Sequence, residues 1–284
     1  MTNDEGGPAT AGDPPERTKS SADPLNANAS SSVAALTGLQ EEHDRIFDEY
    51  TKERIALDER FDAKFAPFYQ KRTEELRKGH LPQFWFTAFE NCEMLRENMT
   101  NKDVAVLKYL TDVTCTKVST AEAAASPPEK KLTTGSFTLH FHFAPNPFFE
   151  NQTLTKTYIV AEDDDDDLEQ AIGCDIRWKP GKDLTFRVMK KKIRGGRGGA
   201  GKVITRKEPV DYSFFNFFIP PKGPEKGEDM AEDDLEALEE VIAADYEMGD
   251  AIRQDIIPRA VLYFKDDVEG EDDEDDGDKH QDCR

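Results

Sequence analysis

The stretch SFTLHFHFAPNPFFENQTLTKTYIV, residues 136–160, decides the fold, because two runs of alternating apolar and polar residues flank a segment rich in Pro and Asn. Alternation with a period of two is typical of strands that have one buried face. Three later runs have the same character and are also bounded by Gly, Pro or Asn. The predicted strands are Ser136–Phe143, Thr153–Val160, Cys174–Trp178, Leu184–Met189 and Lys202–Lys207. Together they predict an antiparallel sheet.

A long helical pattern precedes this sheet. Its side chains recur at steps of three and four: Leu36, Leu39, His43, Ile46, Tyr50, Arg54, Leu57, Phe61, Phe65 and Phe68. The pattern extends to about Arg77, which makes the helix roughly 45 residues long. The rest of the chain is too short to cover an aromatic stripe of this length. The pattern predicts a helix that pairs with a second copy, with a helix in an intramolecular bundle as the alternative. We expect Pro67 to bend or break the helix, since proline removes one backbone hydrogen bond.

The remaining composition sets the boundaries of the predicted domains. Residues 1–32 are rich in Gly, Pro, Ala and Ser and are predicted to be disordered. A long helix at 33–78, bent near Pro67, leads into an α+β domain at 79–265, and an acidic disordered tail follows at 266–284. Within the domain we expect helices at 81–99, 101–110 and 233–256, and a loop at 119–134. No apolar run is long enough to span a bilayer, and the four widely spaced cysteines are expected to be reduced.

Acidic residues are concentrated in three tracts of this chain, whose net charge is −22. Residues 161–170 contain seven acids, residues 228–252 contain eleven, and neither tract contains a base. Residues 266–284 contain eleven acids and two bases. Local anionic density attracts cationic macromolecules and repels nucleic acid phosphates. The tracts therefore predict a basic protein partner, with a purely solubilising role as the alternative.

One basic segment interrupts the acidic pattern: residues 190–207 contain eight bases and no acid. Such a cluster is typical of nuclear import signals or nucleic-acid contacts, and a solvated hairpin is the alternative. Its GRGGAGK sequence, residues 196–202, fits the frame of a phosphate-binding loop and would make the chain a nucleotide-dependent assembly factor. Val203 stands where Ser or Thr must hold Mg²⁺, however, and a strand-like segment follows instead of a helix. We therefore expect two strands joined by a glycine-rich tip.

No catalytic or metal-binding constellation emerges from the remaining residues. His140 and His142 share one face of a strand, but no third ligand is placed beside them, so a structural role is expected. Asp163, Asp165 and Asp167 begin like a calcium loop that lacks its Gly and closing Glu. No cofactor and no enzymatic activity are predicted.

Six strings in fixed order give the chain a family resemblance: HLPQFWFTAFEN, LKYLTDV, FHFAPNPFFENQTLTKTY, IRWKPGKDLT, YSFFNFFIPP and ADYEMGDAIRQDIIPRAVLYF. Together they resemble the nucleosome assembly protein family, and FAPNPFF and IIPRAVLYF favour this branch over the related SET-like branch. The resemblance implies an α+β fold in a homodimer joined by the long helix. It also implies a histone chaperone without catalytic activity, which binds core histones, shields them from non-specific DNA contact and delivers them for nucleosome assembly.

The resemblance also implies roles for individual residues. The dimerisation helix would use Leu39, Ile46, Tyr50, Leu57, Phe61 and Phe65. The nuclear import candidates are Lys190, Lys191, Lys192, Arg194 and Arg197, on a tip that is unusually rich in glycine. The histone-binding acids would be Asp233, Asp234, Glu236, Glu239, Glu240, Asp245, Glu247, Asp250, Asp266 and Asp267.

The partners implied are core histones, a second copy of the chain and a nuclear import receptor. Neither sequence-specific DNA binding nor a membrane partner is implied, and the protein is expected to shuttle between nucleus and cytoplasm. The alternative function is a general acidic scaffold or transport adaptor for basic proteins.

Overall fold

The structure is a computed structural model that describes residues 24–126, 132–161, 168–193, 202–210, 212–221 and 231–267. The chain divides into two compact units, Met1–Leu57 and Asp58–Arg284. The described part of the first unit is helical throughout. The described part of the second unit contains two sheets and the shorter helices.

Helix α1 spans Pro24–Arg77 and begins nine residues before its predicted start. The expectation of disorder up to residue 32 is therefore wrong for residues 24–32, and residues 1–23 lie outside the described part of the chain. Proline suits the first position of a helix, because its missing N–H would have no partner there, and alanines follow it. The helix continues through Pro67, so the proline does not break it, and a bend at this point stays a prediction.

The last part of α1 belongs to the second unit, which differs from the predicted boundary at residue 78. Four side chains of this part account for the difference, because each bonds to the domain. Thr73 donates to Asp112 at 2.6 Å, and Arg72 donates to the carbonyl of Ile257 at 2.5 Å. Asp62 pairs with Lys117 at 3.0 Å, and Glu59 accepts from the Thr120 backbone at 2.7 Å.

Short helices lead from α1 into the sheet. They are α2 (Phe84–Glu90), α3 (Glu93–Glu97) and α4 (Asn101–Leu107), so the predicted helix at 81–99 is two helices. Helix α4 begins with a capping box in which Thr100 and Asp103 satisfy each other's free backbone N–H groups. The buried Asp103 also accepts from Ser213 at 2.7 Å, which ties α4 to a later segment.

The main sheet is antiparallel with strand order β1–β2–β3–β4. The strands are β1 (Leu110–Lys117), β2 (Phe137–Phe143), β3 (Thr153–Val160) and β4 (Leu168–Ile172). Helix α5 (Thr120–Ala125) lies in the expected loop between β1 and β2. Strands β2 and β3 agree with two predicted strands, and they pair with Leu139 opposite Lys156 and Phe141 opposite Leu154.

The observed sheet differs from the prediction in three places: two of its strands were not predicted, and one predicted strand does not form. Strand β1 lies partly where a helix to residue 110 was expected, and its burial does not alternate. Strand β4 overlaps the acidic tract. The segment Cys174–Trp178 forms no strand and has only an isolated bridge from Trp178 to Phe149. Its backbone instead bonds to the loop after β2, where Arg177 accepts from Glu150 at 3.0 Å.

A second sheet contains only β5 (Phe186–Ile193) and β6 (Lys202–Pro209), which pair antiparallel as predicted. A 3-10 helix, Phe214–Phe218, follows. Helix α6 (Glu232–Ala251) then continues into a π-helix, Ile252–Ile256, which agrees with the predicted helix at 233–256. Helix α7 (Ala260–Lys265) was not predicted and begins after Pro258.

The core is aromatic and is centred between the main sheet and the 3-10 helix. Side chains of β2 with a period of two, Phe137, Leu139, Phe141 and Phe143, are all buried. The ring of Phe141 packs edge-on against Phe218 at 5.2 Å between centroids, and Phe143 packs likewise against Phe149 at 5.1 Å. The aromatic run before Pro220 therefore closes the buried face of the sheet.

Candidate acidic interface

Helix α6 presents most of the predicted acids to solvent. Its first turn contains Glu232, Asp233 and Asp234, where negative charge interacts favourably with the helix dipole. Six of the predicted acids are exposed: Asp233, Asp234, Glu236, Glu239, Glu240 and Glu247. They form a fixed anionic surface on a folded element.

Asp245 differs from these residues, and its assignment as a surface acid needs correction. Its side chain is 11% exposed, and its Oδ1 accepts a hydrogen bond from Lys156 Nζ at 2.6 Å. Its backbone carbonyl accepts from the Tyr158 hydroxyl at 2.7 Å. Burial raises the pKa of the Asp245 carboxyl, even though Lys156 lies beside it. Asp245 therefore anchors α6 on β3 and is not free to meet a partner.

Lys156 is the other half of this pair and is fully buried. Its ammonium also donates to the Phe217 carbonyl at 2.6 Å and lies 4.5 Å from the centroid of the Phe217 ring. Burial lowers the pKa of Lys156. Removing one member of such a pair would leave an uncompensated buried charge, at a cost of about 3–5 kcal/mol.

The sequence contains a signal for this pair that the prediction missed. Lys156 lies between Leu154 and Tyr158 on the inward face of β3, where a charge requires a partner. On α6, Asp245 continues the apolar series Leu238, Ile242, Gly249, Ile252 and Ile256 at steps of three and four. An acid within the apolar stripe of a helix and a base on the inward face of a strand each need a buried partner of opposite charge. The two positions together therefore predict an ion pair.

Gly249 allows α6 to approach β3 this closely. A Cβ atom at position 249 would lie 2.3 Å from the ring of Tyr158, which is closer than packed carbon atoms can come. The Tyr158 ring also packs against Tyr246 at 5.6 Å. Glycine at this position therefore fixes the distance between the acidic helix and the sheet.

Nearby basic side chains partly compensate the negative charges at the end of α6 and at the start of the tail. Asp250 pairs with Arg253 at 2.5 Å, and the Arg253 guanidinium lies 4.2 Å from the Phe137 ring centroid. Asp266 and Asp267 are exposed, and Lys265 lies 3.5 Å from Asp267. The rest of the predicted tail, residues 268–284, lies outside the described part of the chain.

All six predicted dimerisation residues of α1 are exposed in the single chain. Their exposed fractions are 63% for Leu39, 62% for Ile46, 56% for Tyr50, 44% for Leu57, 41% for Phe61 and 49% for Phe65. Phe47 and Phe68 are exposed as well. An aromatic stripe of this length on one helix is typical of a surface that another molecule covers.

The basic segment is placed on the two-stranded sheet. Lys190, Lys191 and Lys192 lie in β5, opposite Thr205, Ile204 and Val203 of β6, whereas Arg194 and Arg197 lie outside the described residues. Because β6 begins at Lys202, a strand follows the glycine-rich sequence, and the helix that a phosphate-binding loop requires is not there.

The described residues contain no group of three or more His, Cys, Asp or Glu that could hold a metal ion. His140 and His142 stack with 6.3 Å between ring centroids and bond to Thr116 and Thr114 of β1, in agreement with a structural role. Cys92, Cys115 and Cys174 are free thiols, and burial raises the pKa of Cys115 to about 12. None of the described helices is long and apolar enough to cross a membrane.

Comparisons with known proteins agree with this architecture. The sequence profile described as Nucleosome assembly protein (NAP) matches residues 74–267. Nucleosome assembly protein 1;2 of Nicotiana tabacum is 36% identical over 265 residues, which cover 84% of this chain and 66% of the relative. Nucleosome assembly protein 1;1 of Arabidopsis thaliana is 34% identical, with 84% and 67% covered. The chain thus spans about two thirds of the length of these relatives.

A solved structure gives the same result for the fold. Nucleosome Assembly Protein 1 from Plasmodium knowlesi superimposes with a TM-score of 0.59 at 27% identity, over 86% of this chain and 98% of that chain. The predicted α+β fold, with a long helix followed by an antiparallel sheet and helices, is confirmed.

Proposed function

The chain belongs to the nucleosome assembly protein family, and we propose that it acts as a histone chaperone. It would bind core histones, shield them from non-specific DNA contact and deliver them for nucleosome assembly. The observation that carries this proposal is the row of exposed acids on α6, held in place by the buried pair of Lys156 and Asp245. No catalytic step is part of the proposal.

The acidic surface of α6 suits this task on physical grounds. Histones are strongly basic, and many screened carboxylate contacts can hold them while still allowing exchange. The same surface repels DNA phosphates, so a bound histone would be kept from non-specific sites on DNA. Because the α6 acids lie on a folded element, they can match a particular basic surface, and we assign specificity to them.

The first experiment asks whether the purified chain prevents precipitation of mixed core histones and DNA at physiological salt. The decisive variant changes Glu236, Glu239, Glu240 and Glu247 to Gln and should lose most of the protection. The matched control changes Glu41, Glu42, Glu49 and Glu53 of α1 to Gln, with the same change in charge at exposed positions. Equal loss in both variants would contradict a specific role for α6 and favour a general acidic scaffold.

A competition assay tests that alternative function directly. A protamine-like arginine-rich peptide should displace histones poorly from a histone chaperone, because a peptide cannot match the arrangement of the α6 acids. It should displace them readily from a general scaffold, for which only charge matters. Titrations of both competitors at the same salt concentration decide between the two.

The tail at 266–284 has a net charge of −9, and we propose that it increases the rate of histone capture more than specificity. Contacts from a tail are screened within about 8 Å at physiological salt. Deleting residues 268–284 should therefore weaken binding modestly and flatten its salt dependence, whereas the α6 variant should lose more affinity at high salt. Loss of all binding on tail deletion at both salts would contradict this division.

We further propose that the chain acts as a homodimer through α1.

We also propose that the protein shuttles between nucleus and cytoplasm and that the basic hairpin at 190–207 helps its entry into the nucleus. Strands β5 and β6 form a sheet of their own and carry bases on both strands, which suits a segment read by an import receptor. Changing Lys190, Lys191, Lys192 and Arg194 to Ala should shift a fluorescent fusion towards the cytoplasm. An unchanged distribution would exclude the hairpin as the import signal.

A further inference from the structure

We infer that a groove along the outer edge of β4 binds an extended cationic peptide by adding it to the sheet as a further strand. This inference goes beyond the histone-binding role proposed for the outward acids of α6, because it concerns a different surface and a different mode of binding. The groove has a volume of about 850 Å³ and lies between β4, the segment after the 3-10 helix and the inward side of α6.

The lining of the groove indicates that it follows the edge of the strand. All residues from Leu168 to Ile176 line it in unbroken succession. A groove over one face of a strand would be lined by every second residue, because successive side chains point to opposite faces. The first five of these residues are β4 itself, so both alternating sets of positions of this strand border the groove.

This edge is free within the described part of the sheet. Strand β4 pairs only with β3, through a regular register from Gln170 to Ile172. An edge strand presents unpaired N–H and C=O groups, and an extended peptide can satisfy them as an added strand. At Gly173 the chain lies so near the segment after the 3-10 helix that a Cβ would be only 1.9 Å from the Phe218 carbonyl oxygen.

The charge of the lining selects a cationic occupant. Glu169, Asp175 and Asp183 line the groove, and none of the described lining residues is basic. Asp245 also borders the groove, but Lys156 already compensates its charge, so it adds no free charge to the lining. The acidic tail of the chain itself would be repelled here, whereas a peptide bearing Lys or Arg would be attracted.

Apolar side chains alternate with these acids and define the second requirement. Ile172, Ile176 and Trp178 are half-buried in the lining, and Ile219 is 51% exposed on the opposite wall. Side chains of an added strand alternate between two directions, so one set would meet carboxylates and the other set would meet these apolar surfaces. The partner is therefore an extended segment in which Lys or Arg alternates with apolar residues.

The test measures binding of a fluorescein-labelled peptide, Lys-Val-Lys-Thr-Lys-Val-Lys, to the full chain by fluorescence anisotropy at physiological salt. A second peptide of the same charge has every backbone nitrogen methylated, so that neither of its edges can donate hydrogen bonds to the sheet. We expect methylation to weaken binding about tenfold or more, because hydrogen bonds to the β4 edge are lost. Equal affinity of the two peptides would overturn the proposal and assign binding to general acidic attraction.

Two protein variants locate the site without changing the buried pair. Ile219→Lys places a charge and a longer side chain on the groove wall and should weaken binding of the first peptide about threefold to tenfold. Val261→Lys is the matched control, because it makes the same change on α7 at a side chain that is 45% exposed. Equal effects of both variants would overturn the location, while histone protection by the α6 acids would still be measurable separately.

Hydrogen exchange and light scattering decide the remaining outcomes. Peptide binding should slow amide exchange in residues 168–172, and unchanged exchange there would overturn strand addition. If the peptide instead reduces the mass of the assembly, the groove was occupied by the basic hairpin of another copy, and the inference of a separate peptide partner is wrong.

Discussion

Aromatic residues occur in two regions of this molecule with opposite exposure. On α1, Phe61, Phe65 and Phe68 are 41%, 49% and 55% exposed, whereas Phe214, Phe215 and Phe218 of the 3-10 helix are at most 2% exposed. The second group is covered by the sheet and α2 of the same chain, and the first is not. One residue type therefore serves folding in one region and, on our proposal, assembly in the other.

The largest effect should come from placing charges on the exposed stripe. Leu57→Asp combined with Phe61→Asp should convert a dimer into monomers at micromolar concentration. Full burial of one such side chain contributes roughly 1.5–3 kcal/mol. About half of each side chain is already covered in the single chain, so the four side chains of a dimer contribute roughly 3–6 kcal/mol to association. Buried carboxylates would add a further cost. Light scattering measures the mass.

The matched control for this variant is Ala56→Asp combined with Ala63→Asp. Both alanines are exposed, and helical geometry places them on the other side of α1 from the stripe. The control should remain dimeric with the same charge change. If the wild type itself has the mass of a single chain, the proposed dimer does not exist.

Substitutions of the covered aromatic residues should change the free energy of unfolding and not the mass of the assembly. Phe214→Ala removes a ring that contacts Phe89, Phe141 and Phe217, and should lower the free energy of unfolding by about 3–5 kcal/mol. Phe65→Ala on α1 should lower it by an amount that depends on chain concentration, because that ring is proposed to pack between copies. Urea unfolding at two concentrations separates the two, and a concentration-independent loss in Phe65→Ala would contradict the comparison.

The same glycine-to-alanine change should have opposite effects in the two regions. Gly249→Ala should destabilise the domain by about 1–3 kcal/mol, because the new methyl group would collide with Tyr158. Gly38→Ala meets nothing within 4 Å on α1 and should stabilise the helix by up to about 1 kcal/mol. Thermal unfolding monitored by circular dichroism provides the measurement. Destabilisation by both changes would mean that α1 is more closely packed than its exposure indicates.

The smallest effect concerns alkaline pH. Burial raises the pKa of Tyr158 and of Tyr263 above 10.0, so both stay protonated in the fold at pH values where the unfolded chain loses these protons. Stability should therefore be present below pH 10 and fall above it, with a slope for each group that starts smaller and is at most about 1.4 kcal/mol per pH unit. Tyr158→Phe should reduce this slope between pH 10 and 11. An unchanged slope would contradict the assignment to Tyr158.

Regular patterns made much of the fold predictable. Steps of three and four from Leu36 to Phe68 predicted α1, and alternation predicted β2 and β3 with nearly correct bounds. Strand β1 was missed because Asp112 and Val113 are both buried, so its sequence does not alternate. Strand β4 was missed because it follows an acidic run and contains Glu169 and Gln170, whose exposure is typical of an edge strand.

The candidate interface was predictable wherever acids face solvent, and not where tertiary packing changes their role. Glu236 and Glu247 lie where the sequence placed them, on an exposed helix face. Asp245 has the same local sequence character, but its neighbour in space is Lys156, 89 residues away along the chain. Counting acids in a tract cannot reveal such a partner, whereas comparing the inward positions of β3 and α6 could have done so.

The π-helix has a consequence for which changes of length the chain can accept. Its Ile257 N–H bonds to the Ile252 carbonyl, so this turn contains one residue more than an α-helical turn, and Ile252, Ile256 and Ile257 are all buried. Deleting one residue here would rotate everything that follows by about 100°, and Tyr263 would lose its hydrogen bond to Asp255. In sequence evolution, conservative replacements of the isoleucines are therefore expected to be tolerated more readily than single-residue insertions or deletions in this segment.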